Sequence, residues 1–171
     1  MSETQLQTGM LAEGAEDTLG NRYLTFNLEN EEYGVEIRYV TEIVGIQPIT
    51  ELPDTPPFMR GVINLRGKVI PVIEVRARFS LPTREYDDRT CIIVVNIRST
   101  SVGLIVDRVA EVMEISDEQI EDPPNVEMGA SSQFISGLGR VEETVKILLD
   151  LDVLLFQDNV MAGAIESALE E

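Results

Sequence analysis

From Tyr23 onward the chain alternates with a period of two. Leu24, Phe26 and Leu28 fall on one face, and Tyr23, Thr25 and Asn27 on the other. That is the pattern of a strand with one side in a core. Glu29 to Glu32 form a polar turn, and Tyr33 to Ile37 read as the returning strand of a hairpin. Arg38 to Val44 fit either a short helix or a continued strand. Ile46 to Leu52 read as a strand whose Pro48 places it at an edge or a bulge, because proline donates nothing to a ladder. Pro53, Pro56 and Pro57 force a turn and open a helical turn at Phe58 and Met59. Gly61 to Val75 read as two strands joined near Arg66-Gly67. Leu81 to Arg89, polar and turn-rich, is the predicted linker between two units. Cys91 to Ile97 is an unbroken apolar run and so a central strand, with Val102 to Val106 pairing back. Phe134 to Arg140 and Val145 to Leu151 close the pattern. Val153 to Phe156 and Val160 to Leu169 fit a C-terminal amphipathic helix. Residues 1–20, polar and acidic without periodicity, read as a disordered arm.

The strands come in two similar sets. Tyr23 to Ile43 (YLTFNLENEEYGVEIRYVTEI) aligns without gaps on Ile92 to Val112 (IIVVNIRSTSVGLIVDRVAEV). Asn27 falls on Asn96, Gly34 on Gly103, Val40 on Val109 and Glu42 on Glu111. Phe58-x-x-Gly61 followed by Val69 to Val75 likewise matches Phe134-x-x-Gly137 followed by Val145 to Leu151. Two copies are too few for a solenoid, which needs about three or more. The expectation is mainly β: two five-stranded barrels side by side, unit 1 over about 21–80 and unit 2 over about 90–156, with a seam between them. The tail, 157–171, follows.

Charge narrows the partners. A formal net charge of −18 repels nucleic acid and anionic lipid and favours partners with basic patches. No apolar run approaches the roughly 20 residues that span a bilayer, and the N-terminus lacks the basic start and apolar middle of a signal peptide. With one cysteine, Cys91, no internal disulfide can form. These features predict a cytoplasmic protein. The absence of histidine removes the usual neutral-pH base and excludes Cys/His zinc sites and thiolate–imidazole catalysis. A carboxylate-based enzyme stays open, but no catalytic residue, metal ligand or cofactor is predicted.

Few motifs carry chemistry. In Asn64-Leu65-Arg66-Gly67 the glycine suits a tight turn and puts Arg66 at a hairpin tip, either as an interface anchor or as a solvated charge. Gly137-Leu138-Gly139-Arg140 lacks the full phosphate-loop pattern and reads as a hairpin or bulge glycine pair. The acidic pairs Asp87-Asp88, Asp117-Glu118, Glu121-Asp122 and Glu142-Glu143 lack calcium-loop spacing and read as solvated surface. Val40 and Glu42, with repeat partners Val109 and Glu111, are a packing valine beside a surface carboxylate in one copy and a seam-facing pair in the other.

These residues resemble the CheW-like domain family of bacterial chemotaxis. The landmarks are FNLENEEYGVEI (26–37), VTEIVG (40–45), TPPFMRGVINLRGKVIPVIEVR (55–76), VGLIVDRVAEV (102–112) and FISGLG (134–139). The family also includes the regulatory domain of the CheA kinase and the N-terminal part of CheV. The chain shows no kinase or receiver segment, which favours a free-standing adaptor. The resemblance implies two SH3-like barrels and no catalysis, with expected location at receptor clusters beneath the inner membrane. It implies binding to the cytoplasmic tip of chemoreceptors through Val40, Glu42, Gly61, Arg66 and Val112. It also implies binding to the CheA regulatory domain through apolar barrel surfaces and hairpins, with no residue assigned. The alternatives are a coupling module of another chemosensory-like pathway and a small carboxylate enzyme.

Overall fold

The computed structural model, which describes residues 21–123 and 133–156, has eleven strands and two short α-helices among those residues. Strands β1 (Arg22–Leu28), β2 (Glu31–Glu36), β8 (Arg108–Glu114), β9 (Ile120–Glu121), β10 (Ile135–Val141) and β11 (Thr144–Leu149) form one sheet, in the order β8-β1-β2-β11-β10-β9. The second sheet contains β3 (Val40–Gly45), β4 (Met59–Leu65), β5 (Lys68–Glu74), β6 (Cys91–Ile97) and β7 (Thr100–Val106), in the order β3-β6-β7-β5-β4. Helix α1 spans Val75–Arg78 and α2 spans Leu151–Phe156. The molecule is mainly β, and its two small sheets correspond to a pair of SH3-like barrels. The arm expected over residues 1–20 and the helix expected over Val160–Leu169 lie outside the described residues.

The sheets do not divide the chain where the repeat does. The repeat predicts a barrel from 21–80 and another from 90–156. Instead, the hairpin β1–β2 sits in the sheet of the second half, with β2 parallel to β11, and β6–β7 sits in the sheet of the first half, with β7 parallel to β5. The chain changes sheet at the 3-10 turn Ile37–Tyr39 and again at Asp107. One barrel is therefore the continuous segment 40–106, inserted into another built from 22–36 and 108–149. Leu81–Arg89 joins β5 to β6 within one barrel, so it does not link two. The physical reason is that a repeat fixes which strands are alike, but backbone pairing is equally satisfied by either copy's hairpin.

Matched bulges curl both sheets. Register slips at Thr41 on β3 and at its repeat mate Ala110 on β8. It slips again at Arg60 on β4 and at Ser136 on β10. Each bulge bends and twists its strand, which helps a short sheet wrap around a small core.

Strand β6 is central, as its composition predicts, and buries both faces. Ile92 and Val94 point into the inserted barrel with Ile63, Val72 and Ile105. Ile93, Val95 and Ile97 join Leu24, Phe26, Leu28 and Val35 of the other sheet in one continuous core. The seam is thus as apolar as a domain interior. Four rings cross it in sequence, Phe26–Tyr33–Phe79–Phe134, with centroids 5.9, 5.4 and 5.7 Å apart. The Arg78 guanidinium lies 4.3 Å from the Phe58 ring centre and 4.6 Å from that of Phe134, the two phenylalanines that the repeat equates.

A buried ion cluster fixes one crossover. Arg76 is only 4% exposed and grips both Asp107 oxygens, Nε to Oδ1 at 2.7 Å and Nη2 to Oδ2 at 2.8 Å. It also reaches Glu29 at 2.6 Å. Burial disfavours the Asp107 charge, but Arg76 and the Glu29 amide outweigh it and hold this carboxyl below the usual range. The repeat mates of Glu29 and Arg76 are Arg98 and Asp152, which pair at 2.7 Å. The same contact recurs with its signs reversed.

Candidate functional site

The strand β3 carries Val40 and Glu42 on the edge of the inserted barrel. Its bulge separates their neighbours. Val44 packs toward the barrel interior, whereas Val40 packs against the core at the seam. Residues four apart share a face in a regular strand, so the bulge at Thr41 is what turns the two valines to opposite sides. The Thr41 hydroxyl donates to the Val94 carbonyl at 3.1 Å and secures the bulge. Ile43 is left 42% exposed on the outer side of the same strand.

Arg66 and Gly67 form the two-residue turn between β4 and β5. Their φ values, 54° and 87°, are both positive, as a type I′ hairpin turn requires. Asn64 Oδ1 accepts from the Gly67 amide at 2.9 Å and braces the turn. Positive φ also occurs at Glu29, Arg98 and Glu142 in other hairpin turns, so the backbone of Arg66 is not by itself a mark of function. Its side chain is 68% exposed, and its guanidinium pairs with Glu42. The structure therefore brings together two of the predicted site residues, 24 positions apart in sequence.

Of the other three predicted residues, Val40 lies on the same strand as Glu42, while Gly61 and Val112 stand apart from the pair in role or place. Gly61 has φ 147°, and a Cβ there would lie 2.1 Å from the Thr50 carbonyl oxygen. The close approach at Gly61 is made by the chain's own Thr50, which exchanges 2.9 Å backbone hydrogen bonds with Val62. A glycine leaves space beside its own backbone. Here it is filled from within, by the Ile46–Leu52 segment, whose predicted strand is reduced to this one bridge. Val112 lies on β8 in the other sheet, opposite Leu24, and is 46% exposed. Glu111, the repeat mate of Glu42, is engaged through its backbone by Thr25.

The large exposed apolar residues form a pattern that the sequence reading missed. Ile43 and Val112 occupy matching positions in the repeat, as do Val69 and Val145, and all four are 38–49% exposed. The alignment already contained this signal, since each pair is apolar at the same step of the same strand.

The buried acids are all occupied. Glu74, 3% exposed, accepts from Arg60 Nε at 3.0 Å and from the Tyr86 hydroxyl at 2.5 Å. Burial and the Glu74 carboxylate push the Tyr86 phenol up to about 12. Among the described residues, no three Cys, Asp or Glu side chains gather closely enough to hold a metal ion.

With the geometry established, comparison with known proteins is decisive. The profile of the CheW-like domain matches residues 22–158. The chain belongs to the CheW-like domain family. Within that family it is similar to the chemotaxis protein CheW of Klebsiella aerogenes, with 38% identity over 85% of this chain and 88% of the relative. It is 30% identical to CheW of Bacillus subtilis over 90% of this chain and 99% of the relative. A crystal structure of the scaffolding protein TtCheW from Thermoanaerobacter tengcongensis superposes with a TM-score of 0.74 at 38% identity, covering 80% of this chain and 92% of that one. As a CheW-like protein, the chain is a chemotaxis adaptor.

Proposed function

We propose that the chain couples the cytoplasmic tips of chemoreceptors to the CheA histidine kinase, without catalysis of its own, at receptor clusters on the cytoplasmic side of the inner membrane. The observation that carries the reading is the exposed Arg66–Glu42 pair beside the half-buried Val40 and the exposed Ile43. This is a directional polar anchor next to an apolar edge at the seam. A receptor tip is a helical hairpin, and such an edge suits one face of a helix. Arg66 supplies a planar fork of donors, Val40 supplies apolar contact and Glu42 orients the guanidinium before binding. Gly61 supports the site indirectly, by letting Thr50 close the barrel behind it. Val112 extends the surface on the second barrel.

The repeat-related exposed apolar pair Val69 and Val145 suits the docking of similar barrels. That supports contact with the CheA regulatory domain, which belongs to the same family. Against a carboxylate enzyme stand the arginines that neutralise Glu74 and Asp107. No described helix is long and apolar enough to cross a membrane. The test is a pull-down of wild type and Arg66→Ala with receptor and, separately, with kinase. The reading expects Arg66→Ala to lose receptor and keep kinase. Equal receptor binding by a folded variant would contradict it.

A further inference from the structure

Arginines gather where the two barrels, the Asp107 crossover and the Leu81–Arg89 segment meet. A cavity of about 290 Å³ is lined there by Asn27, Glu29, Arg84, Arg89, Asp107 and Arg108. With Arg76 bound to two of the acids in its wall, four of the 13 basic residues collect at this junction in a chain of net charge −18. Two of the four are engaged with carboxylates. Arg76 holds Asp107 and Glu29, and Arg84 holds Asp107 at 2.9 Å and Asp87 at 3.1 Å. The other two retain donors. Among the described residues Arg108 donates its Nε to Asn27 Oδ1 at 3.0 Å, and its terminal nitrogens have no partner. Arg89 forms no ion pair among the described residues.

We propose that this cavity anchors one carboxylate side chain, an aspartate or glutamate on an acidic segment of a partner protein. Two guanidinium groups with open donors at one cavity wall can match the two oxygens of a carboxylate. The long-range field of the chain opposes anions, but it is screened beyond about 8 Å in physiological salt, so the nearby arginines govern a local contact. Glu29 and Asp107 share the wall and would repel a phosphate dianion about twice as strongly as a carboxylate, so the fit is to the monoanion. The volume admits the head of a side chain and a few waters but no helix. None of Val40, Glu42, Gly61 or Arg66 lines the cavity, so the proposal stands apart from the coupling reading.

The test titrates the ¹⁵N-labelled full chain with an acetylated, amidated tetraglutamate peptide. The readouts are the amides of Asn27, Glu29, Asp107 and Arg108 and the side-chain Nε–Hε signals of Arg89 and Arg108. The expected result is a saturable shift confined to these groups that fades at high salt. R89Q/R108Q should bind about tenfold more weakly or worse, the scale of one lost charge-assisted hydrogen bond. R22Q, at an exposed arginine away from the cavity, should bind as wild type does. Both cavity arginines are exposed, so the rest of the R89Q/R108Q spectrum should match wild type and show an intact fold. The proposal is overturned by no saturable shift at the cavity, by unchanged binding in R89Q/R108Q, or by inorganic phosphate binding more tightly than the peptide.

Discussion

Arg66, on the β4–β5 turn, reaches across to Glu42 on strand β3 and pairs with it at the surface of the inserted barrel. The pair is too exposed to stabilise the fold appreciably, since exposed ion pairs contribute about 0–1 kcal/mol. Its value lies in holding a guanidinium in place beside Val40. Arg66→Ala should therefore leave urea-unfolding stability within about 0.5 kcal/mol of wild type. Receptor binding should weaken by ~2 kcal/mol, the scale of an interface hot spot. A double-mutant cycle with Glu42→Ala should show coupling in receptor binding that exceeds the coupling in stability.

Gly61 and Gly67 both have positive φ, but they differ in surroundings. Gly61 faces the Thr50 carbonyl, whereas a Cβ at Gly67 would meet nothing within 4 Å. Gly61→Ala should cost roughly 2–3 kcal/mol through strain and the displaced Thr50–Val62 bridge. Gly67→Ala should cost about 1–2 kcal/mol from backbone conformation alone. Denaturant midpoints of the two variants should rank in that order.

The Asp107 carboxyl is held below its ordinary range by Arg76 and the Glu29 amide, against the opposing effect of burial. Its folded-state pKa lies below its unfolded value, so its contribution to stability is present at neutral pH. It is lost as pH falls through the folded pKa, below about 3.9. Asp107→Asn should be much less stable than wild type at pH 7, and the gap should close as pH approaches 2. Arg76→Met leaves a buried carboxylate without its main partner and should cost roughly 3–5 kcal/mol at neutral pH. Urea titrations at several pH values measure both effects.

The exposed apolar pairs should separate the two partners. Val69→Lys and Val145→Lys place charges where similar barrels are expected to dock, at positions 38% and 49% exposed. Each should leave the fold intact, because neither residue is in the core. Kinase binding should fall by about tenfold or more, while receptor binding stays near wild type. Surface plasmon resonance against each partner measures the split.

The strands and the duplication were legible in the sequence because side-chain alternation and repeat spacing are local properties. The face carrying Leu24, Phe26 and Leu28 and the central place of Cys91–Ile97 follow from that pattern alone. The exchange of hairpins was not legible, since β1–β2 can pair equally well with either copy's last strand. Leu81–Arg89 looked like a boundary because it is polar, yet both its ends attach to one sheet. Arg66 and Glu42 were visible as a motif and a repeat position, but their pairing depends on the curl produced by bulges at Thr41 and Arg60. The contact of Gly61 with Thr50 was not legible, because Thr50 lies in a segment that Pro48 marks as an edge or bulged strand without saying which strand it meets. The Arg76–Asp107 cluster also escaped notice. Its one sequence signal is that Glu29 and Arg76 align with Arg98 and Asp152, opposite charges at matched positions.

The central claim is that the Arg66-bearing edge grips the receptor while a separate surface holds the kinase. Co-sedimentation with receptor-bearing membranes, with and without CheA, tests it most directly. Wild type should pellet with receptor and carry CheA down with it. Arg66→Ala should stay in the supernatant with receptor alone yet still form a complex with CheA in solution. If folded Arg66→Ala pellets with receptor as well as wild type does, the grip lies elsewhere and the account is wrong.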